Sequence, residues 1–260
     1  MVIPDREALC LTEFVTGAPI TALRAGLDVP EKDRDQVLSF TARRVSGEPL
    51  QYIIGVCGFR HIDLRVGPGV FIPRPETELV AERALERLSS GGVLVDVGTG
   101  SGAIALAVAQ ERPDAAVYAT EVSPAALEWA RLNRERLDVS VELVAGDLLS
   151  GLPAELRAGV DVVVSNPPYV PKHDAAFLPV DVREHEPHEA LFAGQGGLEV
   201  MQKLTDEALT WLVPGGWLVL EIGADQRVAA EKELSRWGYD EVSVRRDLAG
   251  RWRVAEGRRP

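Results

Sequence analysis

Val93-Leu94-Val95-Asp96-Val97-Gly98-Thr99-Gly100-Ser101-Gly102 is an apolar, β-branched run that breaks into glycines and leads directly into the helix-forming stretch Ala103 to Gln110. A strand that is apolar on both faces belongs in a parallel sheet covered by helices on both sides. Glycine is required where the backbone turns sharply, or where a ligand approaches it with no Cβ in the way. A dinucleotide fingerprint spaces its glycines G-x-G-x-x-G over a pyrophosphate. Here they fall at every second position after an acidic residue.

Working outward, strands and helices alternate from Gly92 onward, the pattern of βαβ units around a parallel sheet. Strands are expected near 93–97, 116–120, 141–145, 160–165 and 217–223, and helices near 77–88, 103–110, 124–136, 197–212 and 226–236. Two short strands near 241–246 and 251–255, joined by Asp247-Leu248-Ala249-Gly250, close the chain. Upstream, residues 1–48 carry helical signals over Arg6 to Phe14, Ile20 to Gly26 and Lys32 to Val45, and read as a small helical domain. Residues 49–76, with glycines at 55, 58, 67 and 69, read as a hairpin connector ending in a rigid lip, Pro73-Arg74-Pro75. Thr77 is expected to cap the helix that follows. The fold class is α/β, with residues 77–260 as the main domain.

A second stretch carries the chemistry. Val162-Val163-Val164-Ser165 is another buried strand, and it stops at Asn166-Pro167-Pro168-Tyr169. The prolines fix two successive φ angles and have no amide hydrogens, so the rim is stiff and its carbonyls only accept. An amide nitrogen delocalises its lone pair and is a poor nucleophile until something holds it. If the Asn166 oxygen takes one N–H and the Pro167 carbonyl the other, that nitrogen can pyramidalise, with Tyr169 as a wall beside the planar group. Glu121 ends the second strand, where Rossmann-type domains place a carboxylate on ribose hydroxyls. Gly146-Asp147-Leu148 follows the third strand at the same sheet edge.

Composition bounds the reading. At 260 residues the chain holds one large domain, or one with a small attachment. A formal charge of −12 disfavours partners bound through phosphates or anionic membranes. No apolar run reaches the roughly 18 residues of a membrane span, and the N-terminus shows no signal segment, so a cytoplasmic location is expected; the expected state is a monomer. Cys10 and Cys57 lack metal or redox spacing. Pro187 breaks any helix that could align His185 and His188, so Glu184 to Glu189 is expected to be a solvated loop, and no metal site is expected. No serine stands in a nucleophile elbow.

The glycine pattern after a strand aspartate resembles the S-adenosylmethionine loop of Rossmann-like class I methyltransferases. Five segments together resemble the HemK/PrmC protein-(glutamine-N5) methyltransferases: Gly47 to Gly55, Ile72-Pro73-Arg74-Pro75-Glu76-Thr77-Glu78, Asp96 to Gly102, Asn166 to Tyr169, and Asp247-Leu248-Ala249-Gly250-Arg251. The resemblance covers about residues 40 to 260. The stretch before it, interrupted by Gly17-Ala18-Pro19, departs from that family's helical-domain pattern. The resemblance implies S-adenosylmethionine as cofactor and the glutamine of a release factor's Gly-Gly-Gln loop as acceptor; the acidic balance argues against direct nucleic-acid binding. It places the cofactor on Gly98, Thr99, Gly100, Ser101, Gly102, Glu121, Leu148 and Asn166. Asp147 suits the adenine amino group, and Leu148 stands where some members carry tryptophan. The acceptor falls on Asn166, Pro167, Pro168 and Tyr169, with Arg74 in the lip. Asn166, Pro167 and Tyr169 are the expected catalytic residues. Two alternatives share Asn-Pro-Pro-Tyr: an adenine amino-methyltransferase acting on nucleic acid, and a relative that methylates another amide or amine.

Overall fold

The computed structural model describes residues 3–260. Four helices open the chain: α1 (Asp5–Thr16), α2 (Ile20–Arg24), α3 (Glu31–Val45) and α4 (Leu50–Ile54). Each follows a proline (Pro4, Pro19, Pro30 and Pro49), whose fixed φ and missing N–H suit the residue ahead of a helix. Leu11 of α1 is fully buried, and Phe14 stacks on Phe40 of α3 with ring centroids 6.3 Å apart. The stretch expected to begin the connector instead forms α4, which packs on α1 and α3, while its buried Tyr52 joins the core of the hairpin and bonds the Val70 carbonyl. A single turn between Pro49 and Gly55 is too short to show a helical period.

The expected hairpin follows: β1 (Val56–Phe59) pairs antiparallel with β2 (Ile62–Arg65). Next come α5 (Thr77–Arg87), β3 (Val93–Val97), α6 (Ala103–Glu111), β4 (Ala116–Glu121), α7 (Pro124–Leu137), β5 (Glu142–Ala145) and β6 (Val160–Ser165). The remainder is α8 (Val180–His185), α9 (Glu199–Trp211), β7 (Leu212–Glu221), α10 (Arg227–Arg236), β8 (Asp240–Arg246) and β9 (Trp252–Arg258). The sheet order is β5-β4-β3-β6-β7-β9-β8. The first five strands run parallel, and β9 lies antiparallel between β7 and β8.

Alternation along the strands divides the core between the two faces of the sheet. Leu94, Val162 and Val219 pack with α5 and α6, while Val95, Val163 and Leu218 pack with α9 and α10. β7 starts five residues earlier than 217, because Pro214-Gly215-Gly216 is carried inside the strand, opposite a register shift between Val160 and Val162. Asn133 of α7, fully buried, bonds the Arg65 N–H and carbonyl and the Ser101 carbonyl, tying the hairpin to the glycine turn. β3 pairs with β4 on one side and β6 on the other, so a crevice opens beyond the carboxyl ends of β3 and β6, where such sheets bind ligands.

Candidate active site

A cavity of about 250 Å³ fills that crevice. The turn after β3 forms its floor. Gly98 and Thr99 donate their amides to the Thr120 carbonyl at 2.9 and 3.0 Å. Asp96, buried at the strand end, accepts from the Thr99 hydroxyl at 2.6 Å and from the Ala105 amide at 3.1 Å, locking the turn to the first turn of α6. Burial pushes the Asp96 carboxyl up to about 7. Gly98 and Gly100 have φ of +70° and +59°, and a Cβ on either meets nothing within 4 Å, so the backbone faces open cavity there.

Gly98, Thr99, Gly100 and Ser101 all line the cavity, but Gly102, expected beside them, does not. It has φ +88°, and a Cβ there would lie 2.6 Å from Leu106 Cδ1, so this glycine is required for packing against α6. Glu121 also lines the cavity. Its Oε2 accepts from the Gly100 amide and its Oε1 from the Ser123 amide, both at 2.8 Å. The carboxylate therefore holds the loop in place and keeps lone pairs for a diol. Asp147 and Leu148 complete this side, and Leu148 has φ +50°, a left-handed conformation rare for leucine.

The opposite wall is Asn166, Pro167, Pro168 and Tyr169. Asn166 Nδ2 donates to Thr77 Oγ1 at 3.2 Å, and Thr77 Oγ1 donates to Glu221 Oε2 at 2.7 Å. The Tyr169 hydroxyl donates to Glu221 Oε1 at 3.3 Å. Gln226 Nε2 donates to the Tyr169 and Gly197 carbonyls, at 2.9 and 3.0 Å. Thr77, expected to cap α5, instead begins the helix, and its side chain makes no capping bond. Neither Glu221 nor Gln226 stands in any motif read from the sequence; the signal that could have found Glu221 is a carboxylate closing an apolar strand next to β6. Burial pushes the Glu221 carboxyl up to about 7, and the Tyr169 phenol above its usual range.

Arg74 is absent from the cavity wall; Phe71, Pro73 and Thr77 supply the lip instead. Its guanidinium lies over the Phe71 ring and pairs with Glu186, whose other oxygen accepts from the Ile72 amide at 3.2 Å. The expected solvated loop is thus corrected: Glu186 is buried, and Pro187, Glu189, Ala190 and Leu191 form part of the cavity wall. A substrate role for Arg74 is set aside for the same reason, since the buried carboxylate occupies its charge.

An open glycine turn, a carboxylate ending the neighbouring strand and apolar lining from Ile104, Val122 and Leu148 suit a nucleoside carrying a charged amino-acid tail. With the seven-stranded sheet they define a class I S-adenosylmethionine-dependent methyltransferase. The solved 16S rRNA N2 G1207 methyltransferase of T. thermophilus, in complex with AdoMet and guanosine, shares this fold with a TM-score of 0.60, at 21% identity over 79% of this chain and 50% of that one. A family model described as "Methyltransferase small domain" matches residues 64–180, and one described as "PrmC N-terminal domain" matches residues 2–55. The second match corrects the expectation that the region before residue 40 departs from the family pattern. The chain belongs to the release factor glutamine methyltransferases. It is 40% identical to the protein of that name from Neisseria gonorrhoeae, covering 98% of this chain and 94% of that one. It is 46% identical to that from Streptomyces coelicolor, covering 74% and 69%.

Proposed function

We propose that the chain methylates the side-chain amide nitrogen of the glutamine in the Gly-Gly-Gln motif of a peptide chain release factor, with Asn166, Pro167 and Tyr169 as its catalytic residues. One observation carries the assignment of roles. The Asn166 Oδ1 and the Pro167 carbonyl accept no hydrogen bond among the described residues, and both residues line the cavity across from the glycine turn. Two acceptors on a proline-stiffened rim match the two N–H donors of a primary amide. Asn166 and Pro167 hold the nitrogen, Tyr169 holds the plane of the amide, and Gln226 fixes the Tyr169 backbone.

S-adenosylmethionine supplies an electrophilic methyl group on a sulfonium. The chain's own contribution is orientation, which supplies about 7–11 kcal/mol when reactants are held near attack geometry. No strong base is needed before transfer, and the proton leaves the nitrogen once it is methylated and acidic. Gly98 to Ser101, Glu121, Asp147 and Leu148 hold the cofactor. The helical region, residues 1–55, docks the release factor, residues 56–76 connect, and residues 77–260 carry the transfer. The protein works as a monomer in the cytoplasm, where its substrate acts. An amino-methyltransferase on nucleic acid shares the rim, but the charge of −12 opposes a phosphate-binding groove.

The test is mass spectrometry of a release factor incubated with the protein and S-adenosylmethionine. A gain of one methyl on the Gly-Gly-Gln peptide is expected. A modified nucleic acid with an unmodified release factor would favour the other reading.

A further inference from the structure

A carboxamide has two nearly isosteric orientations, and only one presents its oxygen to the cavity. If the Asn166 amide turned over, an NH2 would face the NH2 of the substrate and no hydrogen bond could form. What selects the orientation is the partner on the far side, Thr77 Oγ1, and a hydroxyl is ambivalent because it donates once and accepts twice. Thr77 alone therefore does not decide which way Asn166 lies.

Glu221 removes the ambiguity. It ends β7, where Leu220 pairs with Ser165 of β6, so its side chain lies beside the start of the rim. Its carboxylate is 1% exposed. An ionised carboxylate only accepts, so Oε2 takes the single Thr77 hydrogen at 2.7 Å. Thr77 then has only lone pairs to offer, and only the Asn166 NH2 can meet them, at 3.2 Å. Oε1 takes the Tyr169 hydroxyl hydrogen in the same way. Arg253, whose Nε pairs with Asp247 at 3.4 Å, places Nη1 3.9 Å from Glu221 and so provides a nearby countercharge for the carboxylate.

We infer that Thr77 and Glu221 are positioning residues that fix the Asn166 carboxamide with its oxygen toward the acceptor, a role that rests on the reading of Asn166 as the group receiving the substrate N–H. Neither residue needs to touch the reacting atoms. Together they convert a buried negative charge into the directed orientation of a neutral amide. Tyr169 is tied to the same carboxylate, so the two sides of the acceptor slot share one anchor.

The experiment is a double-substitution cycle read by steady-state transfer to the release factor, with S-adenosylmethionine affinity measured by calorimetry. Thr77→Val keeps the shape and removes the hydroxyl. It is expected to lower kcat by about 10- to 100-fold, somewhat less than loss of a direct contact, while KM and cofactor Kd change less than about 3-fold. Thr77→Ser is expected to return kcat to within about 3-fold of the original. In an Asn166→Ala background, Thr77→Val is expected to cost less than about 2-fold, because the group it orients is gone. Equal losses from Thr77→Val in both backgrounds, or failure of Thr77→Ser to restore the rate, overturns the positioning role and leaves the reading of Asn166 intact. Full activity in Asn166→Ala alone overturns both. Glu221→Gln provides an independent variant should Thr77→Val not fold. Its carboxamide can present either its oxygen or its NH2 to Thr77, so the direction of the chain is no longer enforced and kcat is expected to fall with cofactor Kd unchanged, whereas unchanged kcat in a folded Glu221→Gln overturns the role inferred for Glu221.

Discussion

Asn166, Glu121 and the glycines after Asp96 could be located from local sequence alone, because each completes a strand whose apolar run announces where it ends. Asn166→Ala removes one of two acceptors and is expected to lower kcat by roughly 100-fold or more, the scale of losing one well-placed polar group. Cofactor affinity, measured by calorimetry, should change far less. Thr77, Glu221 and Gln226 were not legible in the same way. A threonine before an amphipathic helix reads as a cap, and its true partner lies 144 positions along the chain. The same link gives a pH dependence. The groups facing Glu221 are Thr77 on α5, Tyr169 after β6 and Arg253 on β9, with Glu76 contributing repulsion. Burial pushes the Glu221 carboxyl up to about 7. Below that pH its own proton competes to donate to Thr77, so kcat should rise with pH through about 7. Glu221→Gln should flatten that limb, and a limb unchanged in the variant would assign it to another group.

At the scale of elements, the βα alternation was legible because buried strands and amphipathic helices have distinct periods. What escaped is structure held by contacts distant in sequence. The stretch 171–192 is broken by Pro171, Pro179 and Pro187 into the short α8 and two 3-10 turns, Lys172–Phe177 and His188–Ala190, so its apolar residues follow no helical or strand period and nothing local marks it as part of the cavity wall. Its anchors are the Val170 to Phe192 bridge and the Arg74–Glu186 pair. Burial raises the Glu186 carboxyl, partly offset by the Arg74 guanidinium, so removal of Arg74 leaves a buried carboxylate unpaired. Breaking such a pair from one side costs about 3 kcal/mol, or roughly 10 °C in Tm for a chain of this size. Arg74→Ala is expected to lower Tm by that order and to expose residues 171–192 to limited proteolysis ahead of the rest. Glu186→Gln keeps an acceptor for the Ile72 amide and should cost less. Equal protease resistance in Arg74→Ala would show that the segment is held by other contacts.

At the scale of the whole molecule, charge and burial act on stability in the same direction. The sequence pI of about 4.9 means that net negative charge, and with it self-repulsion, grows as pH rises. Asp96 and Glu221 both sit near 7 because burial disfavours their charged forms. A carboxyl whose folded pKa lies above its unfolded value binds its proton more tightly when folded. Its contribution is present in full below about 4 and is lost as pH rises through about 7. Glu48, Glu111 and Glu256 behave oppositely: Arg43 and Arg60 hold Glu48 and Glu111 below the usual range, and Arg87 and Arg83 outweigh burial at Glu256. Their contribution is present above about 4.5 and is lost as pH falls. The two sets together place the Tm maximum of the cofactor-free protein near pH 5, with a decline toward pH 8 measurable by calorimetry. For Glu221 the shift from 4.5 to about 7 corresponds to about 3 kcal/mol. Relative to the unsubstituted chain, Glu221→Gln should therefore gain by that order between pH 5 and pH 8. A Tm that climbs from pH 5 to pH 8, or a variant that tracks the original at every pH, would mean that Glu221 is ionised in the fold at little cost, with Arg253 and the two hydroxyls compensating fully for its burial.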